Sequence, residues 1–174
     1  MGIEAITAGA NAPEELNAII EITPATGSVK YEFDKDTGML TVDRFMGTTM
    51  QYPCLYGFVP NTLAEDGDPL DILVLSPDNV MPGSVMAVRP IAVLIMEDES
   101  GLDSKVLTVP TKKACPSMAH MNTLADVPTH TRDQIQHFFE RYKDLEPNKW
   151  VKVTGWECVE KAHAIIRDSI ERVS

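Results

Sequence analysis

Cysteine is scarce in this chain and forms no pattern. Cys54, Cys115 and Cys158 are three in number and far apart. That excludes a disulfide framework, leaves no metal-ligand spacing, and predicts reduced thiols in a cytoplasmic protein. Basic charge is short as well: 15 Lys and Arg stand against 26 Asp and Glu, for a net charge of −11. The balance argues against a nucleic-acid partner and against an anionic membrane surface. A phosphorylated substrate that brings its own metal ions is still admissible. Long apolar runs are missing too, and the longest, Ile91 to Met96, cannot span a bilayer. No basic segment followed by an apolar stretch opens the chain, so no secretory leader is expected. Ile6 replaces the Ser or Thr that a myristoylation signal beginning Met1-Gly2 requires. Repeats, linkers and low-complexity segments are also absent. What is there, 174 residues with 44% hydrophobic and 24% charged content, predicts one soluble domain over residues 1–174 with a sizeable core.

The stretch richest in chemistry is Asp66-Gly67-Asp68-Pro69-Leu70-Asp71, which runs directly into Ile72-Leu73-Val74-Leu75. Gly67 and Pro69 rule out a helix and predict a stiff loop entering a strand. In that strand Asp71 shares a face with Leu73 and Leu75, while Leu70, Ile72 and Val74 take the other. A carboxylate at the mouth of a strand apolar on both faces loses hydration. It must protonate, meet a cation or hold a metal. Oxygen-only ligands on a short loop suit Mg²⁺ or Mn²⁺ better than zinc. A solvated acidic turn fits the same residues. A calcium-binding EF-hand loop does not, because Leu70 and Asp71 fall at its ligand and glycine places and Pro77 at its twelfth.

The rest of the chain predicts many short strands and then helices. Asn11 to Glu15 has the form of a helical turn, and Ala18 to Ile22 of a strand carrying Glu21. Val29 to Phe33 and Met39 to Arg44 predict a hairpin about Asp34-Lys35-Asp36-Thr37-Gly38, with Lys30 and Glu32 on one face. Met50 to Pro60 delivers Tyr52 and Tyr56 just ahead of the acidic loop. Ser84 to Met96 predicts a long strand, or a pair, interrupted at Pro90. A second acidic cluster, Glu97-Asp98-Glu99-Ser100-Gly101-Leu102-Asp103-Ser104-Lys105, predicts a hairpin turn with Asp103 and Lys105 on one strand face. Thr131-Arg132-Asp133-Gln134 has capping-box form, and Ile135, Phe138, Phe139 and Tyr142 recur at helical spacing. Trp150 to Trp156 alternates as a strand, and Ala162, Ile165, Ile166, Ser169, Ile170 and Val173 make a closing amphipathic helix. The order implies an α+β fold, a small barrel with helices packed outside. Several carboxylates, isolated cations and tyrosines together describe a phosphoryl-transfer site.

At these residues the chain resembles the soluble family I inorganic pyrophosphatases of bacterial type. The signature D-[small]-D-P-x-D matches at Asp66 to Asp71. Ile19-Glu21-Ile22, Val29-Lys30-Tyr31-Glu32, Val42-Asp43-Arg44-Phe45, Tyr52-Pro53-Cys54, Tyr56-Gly57-Phe58, Met96 to Lys105 and His137 to Lys143 follow in order and spacing. The resemblance runs from about residue 12 to the end of the chain. It implies hydrolysis of pyrophosphate, as its magnesium complex, to two phosphates by in-line attack of a metal-activated water. Asp68 resembles the general base. Asp66, Asp71 and Asp103 resemble ligands of the first Mg²⁺, with Asp71 bridging to a second. Asp98 and Asp103 match ligands of ions arriving with substrate, and Glu32 a water-mediated ligand. Lys30, Arg44, Tyr56, Lys105, Tyr142 and Lys143 match the positions that grip the phosphates. Glu21, Asp43, Tyr52 and Glu99 match groups that orient those from behind.

The resemblance further implies several Mg²⁺ ions per site, with Mn²⁺ or Zn²⁺ as substitutes. It implies a five-stranded OB-like barrel with flanking helices, assembled as a homohexamer. One departure is visible: Arg141 stands where bacterial members carry a second histidine after His137. A nucleic-acid-binding barrel would want a basic, aromatic groove instead. A calcium-binding structural module would leave Lys30, Arg44 and Lys143 unexplained. A hydrolase of larger phosphate esters is the nearer alternative.

Overall fold

A short apolar strand, β1 (Leu16–Ile22), is buried along nearly its whole length, because its side chains meet core on both faces of the sheet. The computed structural model describes residues 3–34 and 36–173; Lys35 of the expected hairpin turn and the Met1-Gly2 pair lie outside the described residues. Asn11 to Glu15 does turn helically, the Glu15 N–H donating to the Asn11 carbonyl at 3.1 Å. β2 (Val29–Phe33) and β3 (Leu40–Phe45) form a separate two-stranded ribbon. Met39 falls in its turn, where its carbonyl accepts the Asp34 N–H at 2.9 Å. The remaining strands are β4 (Leu55–Phe58), β5 (Asp71–Val74), β6 (Val85–Asp98), β7 (Gly101–Leu102), β8 (Lys105–Pro110) and β9 (Val151–Glu157). α1 (Thr129–Arg141) and α2 (Val159–Glu171) are the two α-helices among the described residues.

Pairing runs antiparallel from β1 to β4 and β4 to β5, parallel from β5 to β8, then antiparallel from β8 to β6. β6 also pairs with β1, so the sequence of partners returns to its start. β7 and β9 attach to β6. Pro90 does not end β6. It sits at a register shift opposite β8, the bulge being where a residue without an N–H is tolerated inside a sheet.

Strand alternation sorts the core into two clusters. On one face Leu73, Leu94 and Leu107 pack with Ile135, Phe138 and Phe139 of α1. On the other, Ile72, Val93 and Val106 pack with Ala162 and Ile166 of α2. Gly57 allows the layer to close: a Cβ there would overlap the Ile19 carbonyl of β1.

Two expectations are corrected. Thr131 to Gln134 does not cap α1, which begins at Thr129 after Pro128 with no side-chain cap. The φ of −53° that proline fixes at residue 128 already suits a helix start, and the Arg132 N–H reaches its carbonyl at 3.2 Å. Val173 is not part of the buried stripe of α2. The helix ends at Glu171 and Val173 is 50% exposed.

Candidate active site

The acidic loop is fixed by its own hydrogen bonds. The Thr62 hydroxyl donates to the Val59 carbonyl at 2.6 Å and accepts the Leu70 N–H at 2.9 Å. The Ala64 N–H donates to the Asp68 carbonyl at 2.7 Å, and Gly67 adopts φ +95°, a turn most side chains avoid. Leu70 is buried among the α2-side residues, which turns Asp71 to the opposite face, beside the cluster containing Leu73 and Tyr56. Asp68 stays exposed at the loop tip, its N–H donating to Asp66 Oδ1 at 3.1 Å.

Every residue expected in the site except Asp43 lines one cavity of about 700 Å³. At its floor the Lys105 ammonium, 2% exposed, forms ion pairs with both Asp71 and Asp103. Lys143 Nζ reaches Asp98 Oδ2 at 2.6 Å and Glu99 Oε1 at 3.6 Å. Across the cavity Lys30 pairs with Glu32 and lies 3.5 Å from Asp43 Oδ2. Asp43 itself stands behind the wall, accepting from Arg44 Nη1 at 2.9 Å. The tyrosines sit against an aromatic cluster. Tyr52 lies 5.0 Å from Tyr56 and 4.6 Å from Phe138, and Tyr142 stacks 5.2 Å from Phe138, ring centre to ring centre.

Burial and crowding set the protonation of these groups. Burial is the largest influence on Glu21 and lifts its carboxyl to about 8, with Asp71 and Glu32 adding repulsion. The Phe33 N–H, donating to Glu21 Oε1 at 2.8 Å, opposes that rise. Burial likewise raises Asp71 to about 6, against the pull of Lys105. For Asp103 burial is outweighed by Lys105, and the carboxyl is held below its usual range. Burial works against the charge on Lys105, but Asp71 and Asp103 outweigh it and hold the proton more firmly than usual. Burial raises Asp66 as well, and it keeps the Tyr52, Tyr56 and Tyr142 hydroxyls protonated far above neutrality.

A divalent cation fits this donor set in kind. The candidates are hard carboxylate oxygens, and the burial that lifts Asp71 and Asp66, with added repulsion from Asp103, is what a cation offsets. Among the described residues no group of three acids already converges as a metal cage, and lysines partner them instead.

Two residues were not foreseen. Lys149 lines the cavity and holds Glu99 Oε1 at 2.5 Å, which with burial outweighed brings Glu99 down to about 2. Glu146 grips Arg44 from outside the cavity at 3.2 Å. Both lie in the polar connection between α1 and β9, where no spacing rule distinguishes a site residue from a solvated charge.

The comparisons with known proteins bear on this arrangement. The family model described as inorganic pyrophosphatase matches residues 18–174. An inorganic pyrophosphatase of Rickettsia conorii is 55% identical over 174 residues, covering 100% of both chains. One of Gluconobacter oxydans is 52% identical over 170 residues, covering 98% of each. Among solved structures, an inorganic pyrophosphatase of Coxiella burnetii superposes with a TM-score of 0.94 at 56% identity, covering 97% of this chain and 100% of that one. The Thermus thermophilus enzyme gives 0.93 at 43% identity, covering 99% of each.

Proposed function

The chain belongs to the inorganic pyrophosphatase family, and on that premise we propose how its cavity performs the reaction. It is an inorganic diphosphatase, splitting pyrophosphate into two phosphates. The observation that carries the mechanism is the convergence of Lys30, Arg44, Lys105 and Lys143 with the Asp66 to Asp71 loop on one cavity. The four cations offset the charge of the two phosphates, and as the anhydride breaks they stabilise the charge gathering on the leaving oxygens. Tyr56 and Tyr142, protonated at neutral pH, donate hydrogen bonds to phosphate oxygens.

Asp68, exposed at the cavity, accepts a proton from the water that attacks one phosphorus in line. The P–O bond to the bridging oxygen breaks as the new one forms, and both products leave as phosphate with no bond to the protein. Asp66, Asp71 and Asp103 would hold resident Mg²⁺, and Asp98 and Asp103, with Glu32 acting through water, the ions arriving with substrate. Such ions supply positive charge to the phosphates and make water more acidic. Glu21, Asp43, Tyr52 and Glu99 orient these groups from behind.

The finer features of the molecule belong to the same proposal. The returning order of strand partners supports an OB-like five-stranded barrel within a single domain over residues 1–174. The free thiols and the lack, among the described residues, of a helix long and apolar enough to cross a membrane support a cytoplasmic enzyme. A homohexamer follows from the family resemblance. Arg141, exposed on α1 and 3.6 Å from Asp144, marks where its interface departs from the bacterial pattern.

Phosphate release from pyrophosphate and from ATP, measured side by side with Mg²⁺, tests the reading. Fast release from pyrophosphate alone is expected. Equal rates, or preference for ATP, would point to a hydrolase of larger phosphate esters.

A further inference from the structure

Arg44 lines the cavity, whereas neither carboxylate that holds it does. Its Nε donates to Glu146 Oε1 at 3.2 Å, its Nη2 lies in ion-pair contact with the same oxygen at 3.2 Å, and its Nη1 donates to Asp43 Oδ2 at 2.9 Å. A guanidinium has five N–H groups in a rigid fork. Two of them donate to carboxylates outside the site, and the others leave an edge of the fork for a ligand. The tie also spans the molecule. Arg44 belongs to the β2–β3 ribbon, which forms its own sheet, while Glu146 lies 102 residues further on. The Glu146 side chain is only 14% exposed, so the bond is not a loose surface contact. Beside it the chain approaches closely, a Cβ built on Gly47 coming within 3.3 Å of Leu145 Cβ.

We propose that Glu146 is a positioning residue for substrate binding: it fixes the Arg44 guanidinium so that its free edge faces a phosphate of the substrate. The proposal rests on the diphosphatase reading above. A through-space effect of the same carboxylate has the opposite sign. A negative charge near the cavity repels an anionic substrate, so deleting it without loss of positioning would tighten binding.

The test compares wild type, Glu146→Gln, Glu146→Ala, Arg44→Lys and the Arg44→Lys/Glu146→Ala double variant in initial-rate kinetics with magnesium pyrophosphate. Glu146→Ala is expected to raise KM by about three- to tenfold and to lower kcat by a smaller factor, since a misplaced Arg44 loosens the grip on bound substrate as well as on the developing charge. Glu146→Gln keeps an accepting oxygen and should fall between. In the Arg44→Lys background, where no Nε edge exists to be held, removing Glu146 should change KM by less than about twofold.

Titration calorimetry with magnesium methylenediphosphonate, which cannot be hydrolysed, should give dissociation constants in the same order. An unchanged or lower KM and Kd for Glu146→Ala overturns the proposal, as does an equal effect in the Arg44→Lys background. Wild-type protein that releases no phosphate from pyrophosphate defeats the diphosphatase reading instead, and the calorimetric order still decides Glu146.

Discussion

Replacing Glu21 by Gln should make the metal-free protein more stable than wild type, and increasingly so as pH rises. Glu21 is 7% exposed on β1 and its carboxyl is raised from an ordinary 4.5 to about 8, chiefly by burial. The folded protein therefore holds this proton where the unfolded chain has released it. The stability tied to the neutral acid is complete below about 4.5 and is lost as pH climbs through about 8. Each pKa unit is worth about 1.4 kcal/mol, so the window carries roughly 3–5 kcal/mol before relaxation of the site. The variant escapes this loss because its amide never ionises. It also keeps an oxygen to accept the Phe33 N–H, a 2.8 Å bond in the wild type. Urea unfolding of both proteins in EDTA at about pH 5, 7 and 9 reads the difference directly. The stability of the variant relative to wild type should rise by about 3 kcal/mol across the series. Parallel curves would falsify the assignment of a neutral Glu21, and a gap that narrows with pH would reverse its sign.

Asp68→Asn should lower kcat by about 10²–10⁴ while leaving Mg²⁺ and substrate affinity much less changed, with partial recovery at high pH as hydroxide becomes available. Near wild-type kcat in that variant would remove Asp68 from the role of base. Asp71→Asn should raise the Mg²⁺ concentration needed for half-maximal rate and also reduce rate, and a metal titration matching wild type would count against Asp71 as a ligand. Activity should vanish in excess EDTA and return with Mg²⁺ but not with Ca²⁺, whose looser coordination spoils alignment; equal rates with the two ions would refute this. Light scattering at micromolar concentration should give a mass near six chains, and a clean monomer would dispose of the hexamer alone.

The parts of this molecule that were legible in the sequence are those governed by near neighbours. The alternation through Asp71 to Leu75 assigns each side chain a face, and the two core clusters follow it. Spacing placed Tyr142 on the stripe of Ile135, Phe138 and Phe139, where it is found. Cysteine count and charge narrowed the classes without locating anything. The Thr131 capping signal failed because Pro128, three residues earlier, starts a helix through its fixed φ alone. The Arg44–Glu146 tie joins two ordinary charges across 102 residues, and local pattern carries no trace of such a pairing. Asp43, matched by family resemblance, does meet Arg44 and Lys30, yet stands behind the cavity wall and not on it.

The division of β5 between two apolar clusters has a consequence for how this chain can change. Leu70, Ile72 and Val74 belong to the cluster holding Ala162 and Ile166, and Leu73 to the one holding Phe138. Strand side chains alternate with a period of two, so a single residue inserted or deleted between Pro69 and Asp71 inverts the whole strand. A leucine would then face the lysines of the cavity, and a carboxylate would be driven against alanine and isoleucine, away from Lys105. Length here is as tightly constrained as residue identity: an indel of one should abolish the protein.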